Sequence, residues 1–239
     1  MYGALNPAEI NESKGLFMND YFKRQIQLWG DEAQKKLKSK RVLIVGAGGL
    51  GSSLAFGLGS SGIGQIHIVD FDEVSYHNIH RQLAFKLGDD GKNKALLNAS
   101  LMKQRNPYVE VTAHECNFQE WTTKEIEVDL IVDATDNLPV RADINRYAKK
   151  VGLPWIYGSV EAFHGQVAFI ERASFDDIFK ITQITPQGIA APMVMHIASL
   201  QANLALRFLV GLSVKKDMLY YLFFNNEGEI ITQKFNLPV

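Results

Sequence analysis

Residues 41–72 read RVLIVGAGGLGSSLAFGLGSSGIGQIHIVDFD. The run from Arg41 to Val45 is short and apolar, as in a strand buried on both faces of a parallel sheet. Gly46, Gly48, Gly49 and Gly51 follow, and small residues continue to Gly62, so a helix can start tightly and pack close to that sheet. Gln65 to Val69 then reads as a second strand, ending at Asp70. This is a βαβ unit.

Outward from this unit the same period recurs. Lys92 to Gln104 has helical periodicity, Val109 to Ala113 alternates as a strand, and Phe118 to Glu125 turns back toward a helix. DLIVD at 129–133 is another buried-type strand, followed by a helix over Pro139 to Lys149 and a strand over Pro154 to Gly158. Such repetition predicts an α/β, Rossmann-like, doubly wound and mostly parallel sheet. A C-terminal antiparallel extension over about 160–239 is expected to follow it. Its parts are a strand over Gln166 to Ile170, a long apolar helix over Pro192 to Leu209, and a hairpin of Leu219 to Phe224 with Glu229 to Phe235. Residues 1–40 read as an N-terminal helical segment, and no linker divides the chain, so 1–239 reads as one domain. Glu171 to Ala191 lacks periodicity and is predicted to be a long functional loop.

Composition narrows the function classes. The 239 residues are 46% hydrophobic with a formal net charge of −1, which supports a full core and gives no field to attract nucleic acid. No basic start with an apolar stretch opens the sequence and no segment is long enough to span a bilayer, so a cytoplasmic protein is expected. Cys116 is the single cysteine, which excludes an intrachain disulfide and a thiolate zinc site. It reads as a packing residue, and Trp29 and Trp155 as core or interface aromatics. His77 and His80 read as a loop pair, not a metal cluster.

The glycine turn carries the first chemical signal. Gly46, Gly48 and Gly51 match G-x-G-x-x-G between strand and helix, where backbone N–H groups and the positive helix end hold phosphate. Asp70, 24 residues beyond Gly46, is spaced to accept ribose hydroxyls. On these residues alone a nicotinamide- or flavin-dependent enzyme, such as an NAD-dependent oxidoreductase, fits equally well. The following segment, DFDEVSYHNIHRQ at 70–82, adds Asp72, Asn78, Arg81 and Gln82 past the strand end, with Lys94 at the next helix start. A reaction that splits a triphosphate needs such cations to neutralise the leaving pyrophosphate. Asp136, in DATDN just past the strand at 129–133, is placed to hold magnesium, which prefers one or two carboxylates plus substrate phosphates.

Taken in order, GAGGLGS, DFDEVSYHNIHRQ, GKNKA with Lys94, DATDN with Arg141, RQIQLWG at 24–30 and the helix APMVMHIASLQANLALRFL resemble the ThiF, MoeB and HesA family, bacterial relatives of ubiquitin-activating enzymes. The resemblance covers roughly residues 20–235. It implies a homodimer that uses ATP to adenylate the C-terminal glycine of a ubiquitin-like sulfur carrier ending in Gly-Gly, for thiamin or molybdopterin synthesis. By the same likeness Gly46, Gly48, Gly49 and Gly51 lie under the nucleotide and Asp70 binds its ribose. Asn78, Arg81, Gln82 and Lys94 then hold phosphates, Asp136 holds magnesium, and Arg24 reaches across the dimer to the γ-phosphate. Many relatives carry two zinc-binding C-x-x-C pairs or a crossover-loop cysteine; this sequence has neither. The reading is therefore a zinc-free adenylating enzyme without a thioester step on this chain, or, as a lesser alternative, a non-catalytic partner subunit.

Overall fold

A computed structural model of the chain describes residues 18–179 and 188–239. Its sheet has eight strands: β1 (Arg41–Val45), β2 (Gln65–Val69), β3 (Glu110–His114), β4 (Leu130–Asp133), β5 (Trp155–Glu161), β6 (His164–Ile170), β7 (Met218–Phe224) and β8 (Ile230–Asn236). They lie in the order β3-β2-β1-β4-β5-β6-β7-β8. The first five are parallel and the last three antiparallel, as the sequence pattern predicts.

Alternation along β1 shows how the sheet separates two cores. Val42 and Ile44 point into a layer with α3 (Gly49–Gly59), α4 (Lys94–Arg105) and α8 (Ala191–Leu209). Leu43 and Val45 point into the opposite layer, with α5 (Phe118–Thr122), α6 (Leu138–Val151) and α7 (Phe175–Ile178). Both faces of β1 are therefore apolar because both are covered, the condition for a parallel strand. The amino-terminal helices α1 (Lys23–Trp29) and α2 (Asp31–Lys38) are separated by Gly30 at φ 84°.

Two segments differ from the sequence-based expectation. β5 and β6 run longer than predicted, because a tight turn at Ala162, φ 49°, continues their pairing to Glu161 opposite His164. Propensity does not foresee an alanine in the left-handed region; tertiary hydrogen bonds hold it there, Ala162 donating to Gly188 and accepting from Ala190. Those bonds also strap the end of the 171–191 segment, which starts with α7 instead of running irregularly throughout. Residues 180–187, and 1–17 of the N-terminal segment, lie outside the described residues. No helix among the described residues is long and apolar enough to cross a membrane.

Candidate active site

The strand order reverses between β1 and β4, and ligands of open α/β sheets bind in the crevice at the carboxyl ends of such a pair. A cavity of about 1270 Å³ opens there. One wall is the turn after β1, the other the turn after β4, and the floor runs out to β5 and β6 through Tyr157, Ser159, Val160 and Gln166. A second hollow, at the amino ends of the strands around Lys38, Lys103 and Tyr108, lies away from the helix N-termini that favour anions.

The glycine turn is shaped by close approach. Gly46, at φ 99°, donates to the Val69 carbonyl at 2.8 Å, and a Cβ on it would come 2.6 Å from the Ala134 oxygen. A Cβ on Gly51 would overlap the Gly46 carbonyl. Gly51 therefore lets α3 start against the turn, and it is absent from the cavity wall, whereas Gly46, Gly48 and Gly49 form it. Asn98, fully buried on α4, donates to the Ala47 carbonyl at 3.0 Å and secures the turn from below.

Asp70 uses both carboxylate oxygens locally. Oδ2 accepts from the Ala47 N–H at 2.6 Å and Oδ1 from the Asp72 N–H at 2.8 Å. Burial pushes its carboxyl above the ordinary value, while those two N–H groups and the charge of Lys94 pull it down. Each oxygen keeps a further lone pair for a hydroxyl donor. Lys94, the first residue of α4, is buried, and its Nζ lies 2.9 Å from Asp72 Oδ2.

Arg81 and Gln82 reach the wall from a loop that Asn78 organises. The Asn78 Oδ1 accepts from the Ser75 N–H, and its carbonyl accepts from Arg81 and Gln82 N–H. Asn78 itself is buried and off the cavity wall, so its geometry is that of a positioning residue. Arg81 Nη1 approaches the His77 carbonyl and His80 Nε2, and among the described residues no carboxylate lies within 4.0 Å of it. Gln82 lies 3.4 Å from where a Gly48 Cβ would be, and its buried Oε1 has no hydrogen-bond partner among the described residues. An unmet amide beside a bare glycine turn fits a ligand rich in polar atoms.

Across the crevice, Asp136 is exposed on the cavity wall. Among the described residues no cluster of three or more acidic, histidine or cysteine side chains forms a ready-made cage. A single carboxylate fits magnesium, which keeps water and phosphate oxygens as its other ligands. Cys116, read as a packing residue, is buried and also edges the cavity; burial raises its thiol, so it stays protonated and a poor nucleophile. Arg24 is exposed on α1, bonded to Gln27, and is not part of this wall.

Two residues were outside the sequence-based site. Arg141 forms a buried ion pair with Asp133, Nε to Oδ2 at 3.1 Å. Gln201, on α8, donates to the Asp133 carbonyl at 2.6 Å. The only signal for Arg141 was its place in the DATDN resemblance; a polar residue inside an apolar helix was the signal for Gln201.

Fold and site together define a nucleotide-binding α/β protein with its ligand crevice at the β1/β4 reversal. The ThiF family model matches residues 22–238, and the chain belongs to that family. It is 30% identical over 217 residues to the molybdopterin-synthase adenylyltransferase of Escherichia coli K12, covering 85% of this chain and 86% of that protein. With the sulfur carrier protein adenylyltransferase of Thermus thermophilus it shares 38% identity over 153 residues, 62% of this chain and 56% of that one. The chain spans about half the length of several such relatives, including 53% of the adenylyltransferase and sulfurtransferase MOCS3 of Caenorhabditis briggsae, to which it is 33% identical over 84% of its own length. Among solved structures, E. coli MccB with ATP superposes with a TM-score of 0.77 at 24% identity, over 92% of this chain and 72% of MccB. PaaA does so at 0.78 and 19%, over 99% and 76%. These two likenesses establish the fold.

Proposed function

We propose that the chain uses ATP to adenylate the C-terminal glycine carboxylate of a small ubiquitin-like carrier protein ending in Gly-Gly, releasing pyrophosphate. The observation that carries this reading is the grouping of Arg81, Gln82 and Lys94 on the wall beside the glycine turn, with Asp136 facing them. Hydride transfer itself makes no use of this combination of two cations, an amide and a facing carboxylate. A reaction that separates a triphosphate does.

In this reading the carrier carboxylate oxygen attacks the α-phosphorus, the bond from that phosphorus to the bridging oxygen breaks, and pyrophosphate leaves with the electron pair. Backbone N–H groups of the turn and the positive end of α3 hold phosphate oxygens. Asp70 orients the ribose, and Arg81 with Lys94 offsets the repulsion between two anions. Magnesium, held by Asp136, would supply further charge neutralisation on the phosphates. No protein nucleophile takes part, in keeping with the raised Cys116 thiol.

The floor from Tyr157 to Gln166, bounded by Ile189 and Val194, continues the crevice toward β6. It suits a slender glycine tail. Beside it, Phe163 and Phe224 are exposed and meet edge to face, an apolar seat for the carrier's body. The exposed Arg24 completes the site from a second copy, which makes the enzyme a homodimer, and a cytoplasmic setting fits thiamin or molybdopterin synthesis. Exchange of labelled pyrophosphate into ATP, dependent on a Gly-Gly carrier, tests the reading. Absence of exchange with every such carrier of the source genome, or NADH binding tighter than ATP, would overturn it.

A further inference from the structure

Arg141 occupies the cavity wall without offering its charge to a ligand. Four of its five N–H groups meet protein acceptors. Nε donates to Asp133 Oδ2 at 3.1 Å; Nη2 donates to the carbonyls of Thr135 at 2.6 Å and Gly158 at 3.0 Å; and Nη1 approaches Ser159 Oγ at 3.4 Å. The guanidinium also lies 5.2 Å over the Tyr157 ring. Asp133 cancels its charge and with Oδ1 accepts both the N–H and the hydroxyl of Thr135, at 2.9 and 2.7 Å. One side chain thus ties the end of β4, the turn carrying Asp136, and the middle of β5. Only a planar fork reaches three such acceptors at once.

We propose that Arg141 is a positioning residue which fixes the Thr135–Asp136 turn against the middle of β5, and so sets where the metal-holding carboxylate stands relative to the acceptor's path. With its charge met by Asp133 and four of its N–H groups engaged, Arg141 is a cation on the wall that is no counter-charge for phosphate, a part left to Arg81. The inference rests on the ATP-dependent reading above and concerns how its metal carboxylate is placed.

The test is equilibrium binding of ATP by calorimetry, in EDTA and in magnesium, with the full chain. Arg141→Lys keeps the charge and loses the fork. ATP affinity in EDTA is expected to stay within about twofold of wild type, while the gain given by magnesium falls about tenfold, as in Asp136→Asn, the size that outer partners of metal ligands have. Thr135→Val removes only the hydroxyl bond to Asp133 and should show a smaller loss of the same kind, which keeps the test open if the lysine variant melts. Equal weakening of Arg141→Lys with and without metal would make Arg141 a direct phosphate ligand and overturn the proposal. So would a wild-type magnesium response in both variants, or a wild-type affinity indifferent to magnesium. A wild type that binds no ATP in either buffer would instead bring down the functional reading, and the inference with it.

Discussion

Lys94 Nζ lies 2.9 Å from Asp72 Oδ2, with the lysine side chain 9% exposed and the aspartate 52%. The ammonium is thus held at the cavity wall by a partner that stays half in water. The exposed partner can yield to a phosphate without itself being stranded.

Removing this cation should therefore cost more than removing its holder. Lys94→Ala is expected to slow carrier-dependent pyrophosphate exchange by about 10²–10³-fold, the size of losing one preorganised electrostatic contact. Asp72→Asn leaves the ammonium in place and should slow it by about tenfold. Equal losses would mean that Asp72 meets the ligand itself.

Arg24 acts on the neighbouring copy's site in the proposed dimer. Arg24→Ala and Lys94→Ala should each be strongly slowed alone, yet mixing them under conditions that re-sort subunits should restore about a quarter of wild-type exchange, because half the dimers are mixed and each has one whole site. If mixing restores nothing, Arg24 serves its own chain or none.

Gly51→Ala places a Cβ on the Gly46 carbonyl with no flexible side chain to give way. It should destabilise by about 3 kcal/mol, the upper range for overpacking, and lower the melting temperature by about 6–12 °C for a chain of this size. Gly88→Ala, with nothing within 4 Å, is the matched control and should melt with the wild type.

His67 Nδ1 and His114 Nε2 lie 3.0 Å apart on adjacent strands, so one N–H serves both neutral rings. Burial lowers His114 to about 4, with His67 and Lys124 acting in the same direction. Burial also lowers His67, against the opposing charge of Glu110 and with Arg41 assisting. As pH falls below about 6.5 the unfolded chain takes up these protons first, so stability drops from there to about 4 and then levels. Asp70, raised by burial, acts with the opposite sign. The comparison is therefore between wild type and His114→Gln by differential scanning fluorimetry across that range. Wild type should lose melting temperature faster, and parallel curves would clear the histidine pair.

Much of the sheet was legible because its strands are short apolar runs between glycine or polar turns, and parallel burial leaves that mark on a sequence. Arg41–Val45 and Gln65–Val69 fall where the pattern puts them. The turn at Ala162 was hidden, since its left-handed backbone is imposed by Gly188 and Ala190 from a distance. Arg81, Gln82 and Lys94, singled out by their crowding after Asp70, do line the cavity. The division of labour was not legible. Spacing cannot tell that Asn78 organises a loop or that Gly51 faces its own turn, because both depend on which way a side chain or an absent Cβ points.

The phosphate turn has a temporal consequence. Gly46 bonds to Val69, but its shape is closed by Ala134, whose N–H donates to the Val45 carbonyl at 2.7 Å and whose own carbonyl leaves no room for a Cβ on Gly46. β1 meets its second neighbour only when β4 has been made. During synthesis, then, a ribosome that has released residues through Asp72 displays the whole glycine motif and no binding site. In the ATP-dependent reading proposed above, nucleotide becomes able to stabilise the nascent chain only after the turn following Asp133 has emerged, as a late folding ligand and not as a nucleus.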